Sequence, residues 1–251
     1  MKRSAHFPAF ALILLITAAM GCGRPTHHTE ADQTMSTDPM THVEVVTTDS
    51  LNVYYPHYSR IDLVCGQMPS KDEQAVVFCA EAAFTHELLD TFSHSNIDGD
   101  HVGGGKRYQG ARCSDNSGAF AWWPGGGHRF VKGDYDSLLD EAAAHGGMAF
   151  GQAIIISDGT LEQPLWRGGT NEYRALCEKD GRLCIIDSRQ AVDYATFVGL
   201  LAGYGVTHAL YLDMGAGWNH SWWRQDDGRV AEIHPKDKQS AYTTNWITFY
   251  Q

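Results

Sequence analysis

Asp213 anchors the segment of this chain best equipped for chemistry. It closes a short apolar stretch, His208 to Leu212, and precedes a Met-Gly-Ala-Gly turn followed by Trp218, Asn219, His220, Trp222 and Trp223. A strand holds its last side chain rigidly, while glycines such as Gly215 and Gly217 let backbone N–H groups approach a ligand closely. A carboxylate at a strand end, surrounded by hydrogen-bonding and aromatic groups, is a common way to build a carbohydrate site. The competing reading is a strand, a glycine turn and a core tryptophan, because strand-to-loop junctions carry both sites and ordinary turns.

A second dense group is His94-Ser-Asn-Ile-Asp-Gly-Asp-His101, followed by Val-Gly-Gly-Gly105. Asn96, Asp98 and Asp100 alternate like the opening of a calcium loop. Such a loop needs glycine at its sixth place and glutamate at its twelfth, where this chain has His101 and Arg107. The segment is therefore no EF-hand. It reads as an active-site loop in preference to a polar surface turn; an irregular metal site is the remaining alternative, and no metal is assigned.

Arg174 stands among apolar neighbours in Glu172-Tyr-Arg-Ala-Leu176. It either snorkels from a half-buried strand or forms a planar, bidentate anion site. Glu81, inside Phe78-Cys-Ala-Glu-Ala-Ala-Phe84, must be paired or occupy a place where a raised pKa has a use. One structural Arg174–Glu81 pair would account for both. No Gly-x-Ser-x-Gly elbow, phosphate loop, His-Glu-x-x-His or dinucleotide motif occurs, so covalent serine chemistry and nucleotide cofactors are not expected. No cofactor is assigned.

The elements that must position these residues are mostly short strands. The pattern predicts them at Val43–Val46, Asn52–Tyr55, Arg60–Cys65, Ala75–Ala80, Ala119–Trp123, Ala149–Ile156, Tyr173–Cys177, Arg182–Ile186, His208–Leu212 and Asn245–Tyr250. Asp158-Gly, Asp180-Gly and Asp227-Gly are hairpin signals. Two helices are predicted, Ser137–His145 and Gln190–Tyr204; the second repeats Tyr194, Phe197, Val198, Leu201 and Tyr204 at helical spacing. Leu183–Leu212 is then a strand–helix–strand unit, with Phe197 and Leu201 expected on the sheet. Many strands with few, irregularly placed helices give an α+β class with mixed sheets.

The N-terminus reads as an address. Met1-Lys-Arg is basic, Phe10 to Met20 is apolar but short of a bilayer span, and small residues lead to Cys22. That order fits a lipoprotein signal peptide over residues 1–21, with Cys22 lipidated. Residues 22–42 are rich in Thr, His and Asp and poor in large apolar side chains, hence a flexible tether. The remaining 43–251 is long enough for one domain with a core. A net charge of −11 argues against nucleic acid as a partner. The expected location is the bacterial cell envelope, with the membrane reached through the lipid anchor. Of six cysteines, Cys177 and Cys184 sit opposite each other if Asp180-Gly181 is the turn. They would occupy a hydrogen-bonded pair, where a disulfide is not favoured.

The order of these pieces resembles the phosphodiester-glycosidase family, the lysosomal uncovering-enzyme type, over roughly Ala75 to Trp223. Glu81-Ala-Ala-Phe-Thr85 stands where the family has an Asn-Gly-Gly-Phe-Phe-like motif, and Gly99-Asp-His-Val-Gly matches its glycine-rich segment. Gly151-Gln-Ala-Ile-Ile-Ile-Ser-Asp-Gly159 and Tyr173-Arg-Ala-Leu-Cys-Glu-Lys-Asp-Gly181 follow in the family's order. Leu212-Asp-Met-Gly-Ala-Gly-Trp218 is similar to its Leu-Asp-Gly-Gly-Gly-Ser motif. Glutamate replaces the first Asn, and Met214 and Ala216 replace two glycines. The resemblance implies a hydrolase that cleaves a sugar from a sugar-1-phosphodiester on a glycan. Arg174, with His101, would hold the phosphate. Asp213 and one of Glu81, Asp98 or Asp100 would serve as nucleophile or base and acid. Asn96, Asp98, Gly215, Trp218, Asn219, His220 and Trp222 would line the sugar site. The alternative from another class is a noncatalytic glycan-binding lipoprotein, with a metal-dependent phosphodiesterase third.

Overall fold

The computed structural model describes residues 41–85, 92–112, 115–162, 169–214, 220–234 and 244–251. Contacts divide the chain into Met1–Thr37 and Asp38–Gln251. Every described residue belongs to the second unit, so the signal peptide, Cys22 and nearly all of the tether lie outside the description.

Alternating and continuous apolar runs fold into three main antiparallel sheets. The largest runs in the order Val43–Thr47, Leu51–Pro56, Arg182–Ser188, Arg174–Lys179, His208–Leu212, Ile154–Ser157, Thr160–Leu161. A second comprises Val230–Ile233, Ser221–Arg224, Val76–Glu81, Thr244–Tyr250 and Arg60–Gly66. The third comprises Lys106–Tyr108, His101–Gly103, Met148–Gln152, Gly118–Trp123 and Gly127–Lys132. Thr170–Asn171 and Val192–Asp193 form a two-stranded ribbon. The architecture is predominantly β, with two α-helices among the described residues, so the mixed class holds only in that coarse sense.

One core joins all three sheets. Leu176, Ile185 and Leu210 come from the first, Phe78, Ile247 and Phe249 from the second, and Phe120, Trp122 and Phe150 from the third. The other face of the seven-stranded sheet is covered by the helix Tyr194–Tyr204, whose Phe197 and Leu201 are both fully buried against Ala175, Cys177, Ile186 and Ala209. Burying two such side chains stabilises by roughly 1.5–3 kcal/mol each. Arg182–Ser188 and His208–Leu212 both run antiparallel to the strand between them, Arg174–Lys179, so the helix links two parallel strands across it.

The helix starts later than its apolar spacing predicts. Asp193 caps it by accepting the Thr196 N–H at 2.8 Å, while Val192–Asp193 pairs with Thr170–Asn171. The predicted strand Ala149–Ile156 is two strands in two sheets. Met148–Gln152 leaves the third sheet, and Ile154–Ser157 enters the first, with Ala153 between them accepting from Tyr211 N. A run buried on both faces carries no alternation that would mark the switch. Asp158 and Asp180 adopt φ of 49° and 53°, each followed by a positive-φ glycine, as two-residue hairpins require. Cys177 and Cys184 face each other as free thiols. Among the described residues no helix is long and apolar enough to cross a membrane.

Candidate functional site

The first and second sheets meet at one end, and ionisable side chains gather there. Glu81 ends the strand Val76–Glu81, Arg174 begins Arg174–Lys179, and Asp213 follows His208–Leu212. All three are buried. The register places Arg174 beside Leu212 on one side and Asp187 on the other. The Asp213 N–H donates to Ala82 O at 3.1 Å, tying the two sheets together immediately after Glu81.

Arg174 is fully buried, and Asp187 holds it bidentately: Nε donates to Oδ1 and Nη2 to Oδ2, each at 2.7 Å. Burial disfavours the guanidinium charge, but Asp187, with Tyr54 and Glu81 beyond it, outweighs that cost and raises the Arg174 pKa. Asp187 is therefore a direct ionic partner of Arg174, one that the sequence reading did not name. Glu81 lies close enough to act on the same charge through space. Burial raises the Tyr54 phenol, Asp187 adds to the rise and Arg174 opposes it. His234 joins from the strand Val230–Ile233: its Nε2 lies 3.8 Å from Asp187 Oδ2 and its Nδ1 3.2 Å from Glu172 Oε2. It holds a left-handed φ of 48°, a region few non-glycine residues enter and in which histidine is among the enriched types.

Asn245 braces this end from the adjacent strand. Its Oδ1 accepts Ala83 N–H at 2.8 Å and its Nδ2 donates to Ala83 O at 3.0 Å, fixing the chain just past Glu81. Thr85 and Thr244 hydroxyls share a short hydrogen bond beside it.

His220 is buried, with Nε2 3.2 Å from Glu232 Oε2. Burial lowers its pKa; Glu232 opposes that, while Lys71 and Arg174 reinforce it. Arg174 is the smallest of these influences, after burial, Glu232 and Lys71. Trp222 does not suit a sugar platform. It is fully buried, sitting in a strand and packing among Val76, Cys79 and Tyr250, so neither indole face is available for stacking. The sequence signal misleads here because an aromatic cluster after a glycine turn looks alike in a binding loop and in a core strand. Gly215, Trp218 and Asn219 lie outside the described residues.

The His94–His101 segment builds a separate corner. Asn96 is buried and Asp98 N–H donates to Phe84 O at 2.8 Å, so this stretch runs alongside the chain that leaves Glu81. Asp100 points into an ion-pair network instead: Arg107 binds Asp100, Asp136 and Asp140 at 3.0, 2.8 and 2.7 Å. Asp100 is thus held at this corner by Arg107. His101 Nε2 meets His94 Nδ1 at 2.9 Å, and His101 Nδ1 meets Gly99 O at 3.1 Å. Burial pushes the His101 pKa down to about 4, and burial also lowers that of His94. The phosphate contact expected of His101 therefore falls to a neutral ring held by another histidine. Asp187, Glu172, His234 and Asn245 were not anticipated. The rule that singled out Glu81, an acid inside an apolar strand, applies equally to Asp187 in Leu183-Cys-Ile-Ile-Asp187.

The charged cluster thus sits at the ends of packed antiparallel sheets on a β-rich scaffold, and that scaffold has a counterpart among solved structures. The chain is similar in fold to the zebrafish N-acetylglucosamine-1-phosphodiester alpha-N-acetylglucosaminidase catalytic domain auto-inhibited by its pro-peptide. The TM-score is 0.56 at 13% identity, over 83% of this chain and 81% of that one. No family model matches the sequence, and no curated protein sequence matches it.

Proposed function

We propose that this chain is a hydrolase that releases a sugar from a sugar-1-phosphodiester, with Glu81, Arg174 and Asp213 at its centre. One observation carries the reading. Three ionisable side chains far apart in sequence are buried at one end of two packed sheets, on a fold shared with a phosphodiester glycosidase. Burying a cation and several carboxylates is costly unless they are paired or used. A phosphate is a good leaving group, so the site must chiefly stabilise an oxocarbenium-like centre and orient an anion. Asp213 acts as nucleophile or base, Glu81 as its carboxylate partner. Arg174 supplies positive potential toward the phosphate, its plane fixed by Asp187. The glycan reaches the site at the cell envelope, where lipidated Cys22 anchors the chain; Cys22→Ser releases it from the membrane.

A noncatalytic glycan binder is the second reading, favoured by the closed Arg174–Asp187 pair. A release assay on a panel of sugar-1-phosphodiesters, with and without chelator, separates the two. Asp213→Asn is expected to lower turnover a hundredfold or more, on the order of a lost acid–base or nucleophilic group, with little change in melting temperature. Full turnover by Asp213→Asn, or no turnover by the parent chain on any member of the panel, selects the binder.

A further inference from the structure

The corner formed by Cys65, His94 and His101 has no part in the proposed hydrolysis, yet three different elements converge to make it. Cys65 lies in the edge strand Arg60–Gly66, His94 opens the short 3-10 turn His94–Asn96, and His101 begins the strand His101–Gly103. One potential donor atom from each residue lies within 4.8 Å of the others, His101 buried and the other two half-buried. The approach is set by the backbone: a Cβ at Gly103 would lie 2.6 Å from Leu63 O and 3.7 Å from Cys65 Sγ, so only glycine lets these strands come so close.

We infer that Cys65 Sγ, His94 Nδ1 and His101 Nε2 bind one zinc-class divalent cation, with solvent in the fourth position. The donor set is the first argument. One thiolate and two imidazoles suit zinc and its neighbours, whereas calcium and magnesium take oxygen ligands. Geometry is the second. Tetrahedral zinc with bonds of roughly 2.0–2.3 Å places its ligand atoms roughly 3.3–3.6 Å apart. The two nitrogens, at 2.9 Å, are already within a few tenths of an ångström of that spacing. The sulfur lies no more than 4.8 Å from either nitrogen, so it has to close by at most roughly 1.2 Å to reach that spacing, within the reach of a side-chain rotation.

Orientation is the third argument. His101 Nδ1 donates to Gly99 O at 3.1 Å, leaving Nε2 as the lone-pair nitrogen aimed into the corner. A backbone carbonyl on the far nitrogen is the usual device for fixing a metal-ligating histidine. Gly99 has a φ of 82°, and a Cβ there would lie 2.7 Å from Asn116 Nδ2 and 2.8 Å from the Tyr135 hydroxyl, so the carbonyl is held in place. Tyr108 stacks on the His94 ring at 3.4 Å and 8°, and Phe92 meets its edge at 5.1 Å, fixing the second ligand. In the metal-free protein the proton on His94 Nδ1 bridges to His101. On binding, that proton moves to His94 Nε2 and Cys65 loses its thiol proton to solvent, one proton released for each cation bound. The cation then ties the segment carrying Asn96 and Asp98 to the edge strand. This inference stands whether or not the chain is a glycosidase.

Cobalt titration of the chelator-treated full chain tests it, because a thiolate–cobalt bond gives a near-ultraviolet charge-transfer band that histidines alone do not. That band is expected to saturate at about one cobalt per chain, to vanish on adding zinc and to be lost in Cys65→Ser. Zinc is expected to raise the melting temperature of the parent chain alone. His94→Gln, folded by circular dichroism, should bind cobalt at least about tenfold more weakly, as loss of a ligand or its support does. Absence of the band in the parent chain overturns the site. So does a band that persists in Cys65→Ser, which would point to another thiol of the chain. Should Cys65→Ser fail to fold, unchanged cobalt affinity in His94→Gln overturns it equally.

Discussion

Arg174 and Asp187 are fully buried and opposite in charge, whereas His94 and His101 meet in a half-buried corner as rings that burial keeps neutral. The first cluster is fixed by strand register: Arg174 and Asp187 are cross-strand partners, so the sheet itself aligns the fork of the guanidinium with the carboxylate. The second is fixed by ring stacking and one carbonyl. The difference is one of stakes. Charges inside a low-dielectric core are tolerable only as a complete set, while neutral donors and acceptors lose about one hydrogen bond when a partner goes.

The largest effect expected from this contrast is at Asp187. Asp187→Ala should cost about 3–5 kcal/mol in urea unfolding, because it removes the bidentate carboxylate from a buried cation. Replacing both partners, Arg174→Met with Asp187→Leu, should recover most of that loss. Wild-type stability in Asp187→Ala would break the contrast and hand the pairing role to Glu81 or Asp213.

Asn245 lies on the strand between the two clusters, opposite Cys65 on one side and bonded to Ala83 on the other. Asn245→Ala leaves a buried N–H and a buried C=O without their side-chain partner, an expected cost of about 2–3 kcal/mol. A smaller loss of about 1 kcal/mol is expected for His94→Gln in metal-free protein, where one neutral hydrogen bond and a stacked ring are given up. If His94→Gln proves as damaging as Asp187→Ala, the corner is a structural keystone and the contrast fails.

The smallest effect is a slope in pH. His220 has a folded pKa below its ordinary value of 6.5 because burial disfavours its charge. The unfolded chain therefore binds more protons, and stability present above about 6.5 is lost as pH falls through that range. His220→Gln should flatten the acid limb of melting temperature against pH relative to the parent chain. Parallel limbs would show that His220 does not contribute.

Local patterning made much of the strand layout readable. His208–Leu212 matches its predicted bounds, Asp158-Gly and Asp180-Gly turn as their dipeptides require, and the spacing of Phe197 and Leu201 marks the buried face of their helix. Each depends on residues within a few positions of one another. The strands Gly127–Lys132, Ser221–Arg224 and Val230–Ile233 were not readable: glycine and histidine obscure any period of two in the first, paired tryptophans do so in the second, and the third is only four residues long. Trp222 shows the cost: its neighbours suggest a binding loop, and only pairing with Cys79 reveals a core strand.

For the charged site the sequence alone determined that Glu81 and Arg174 had to be paired or used, because an ionisable group in an apolar strand cannot be left unsatisfied. It did not determine the partner. Asp187 and Glu81 are both acids in apolar strands, and that Asp187 lies directly across from Arg174 follows from cross-strand register, a relation between distant segments. The same holds for Cys65, His94 and His101. Sequence placed the two histidines seven residues apart with flexible glycines after them. Only the packing of one sheet's edge strand against another, through the gap left by Gly103, brought a thiol to meet them.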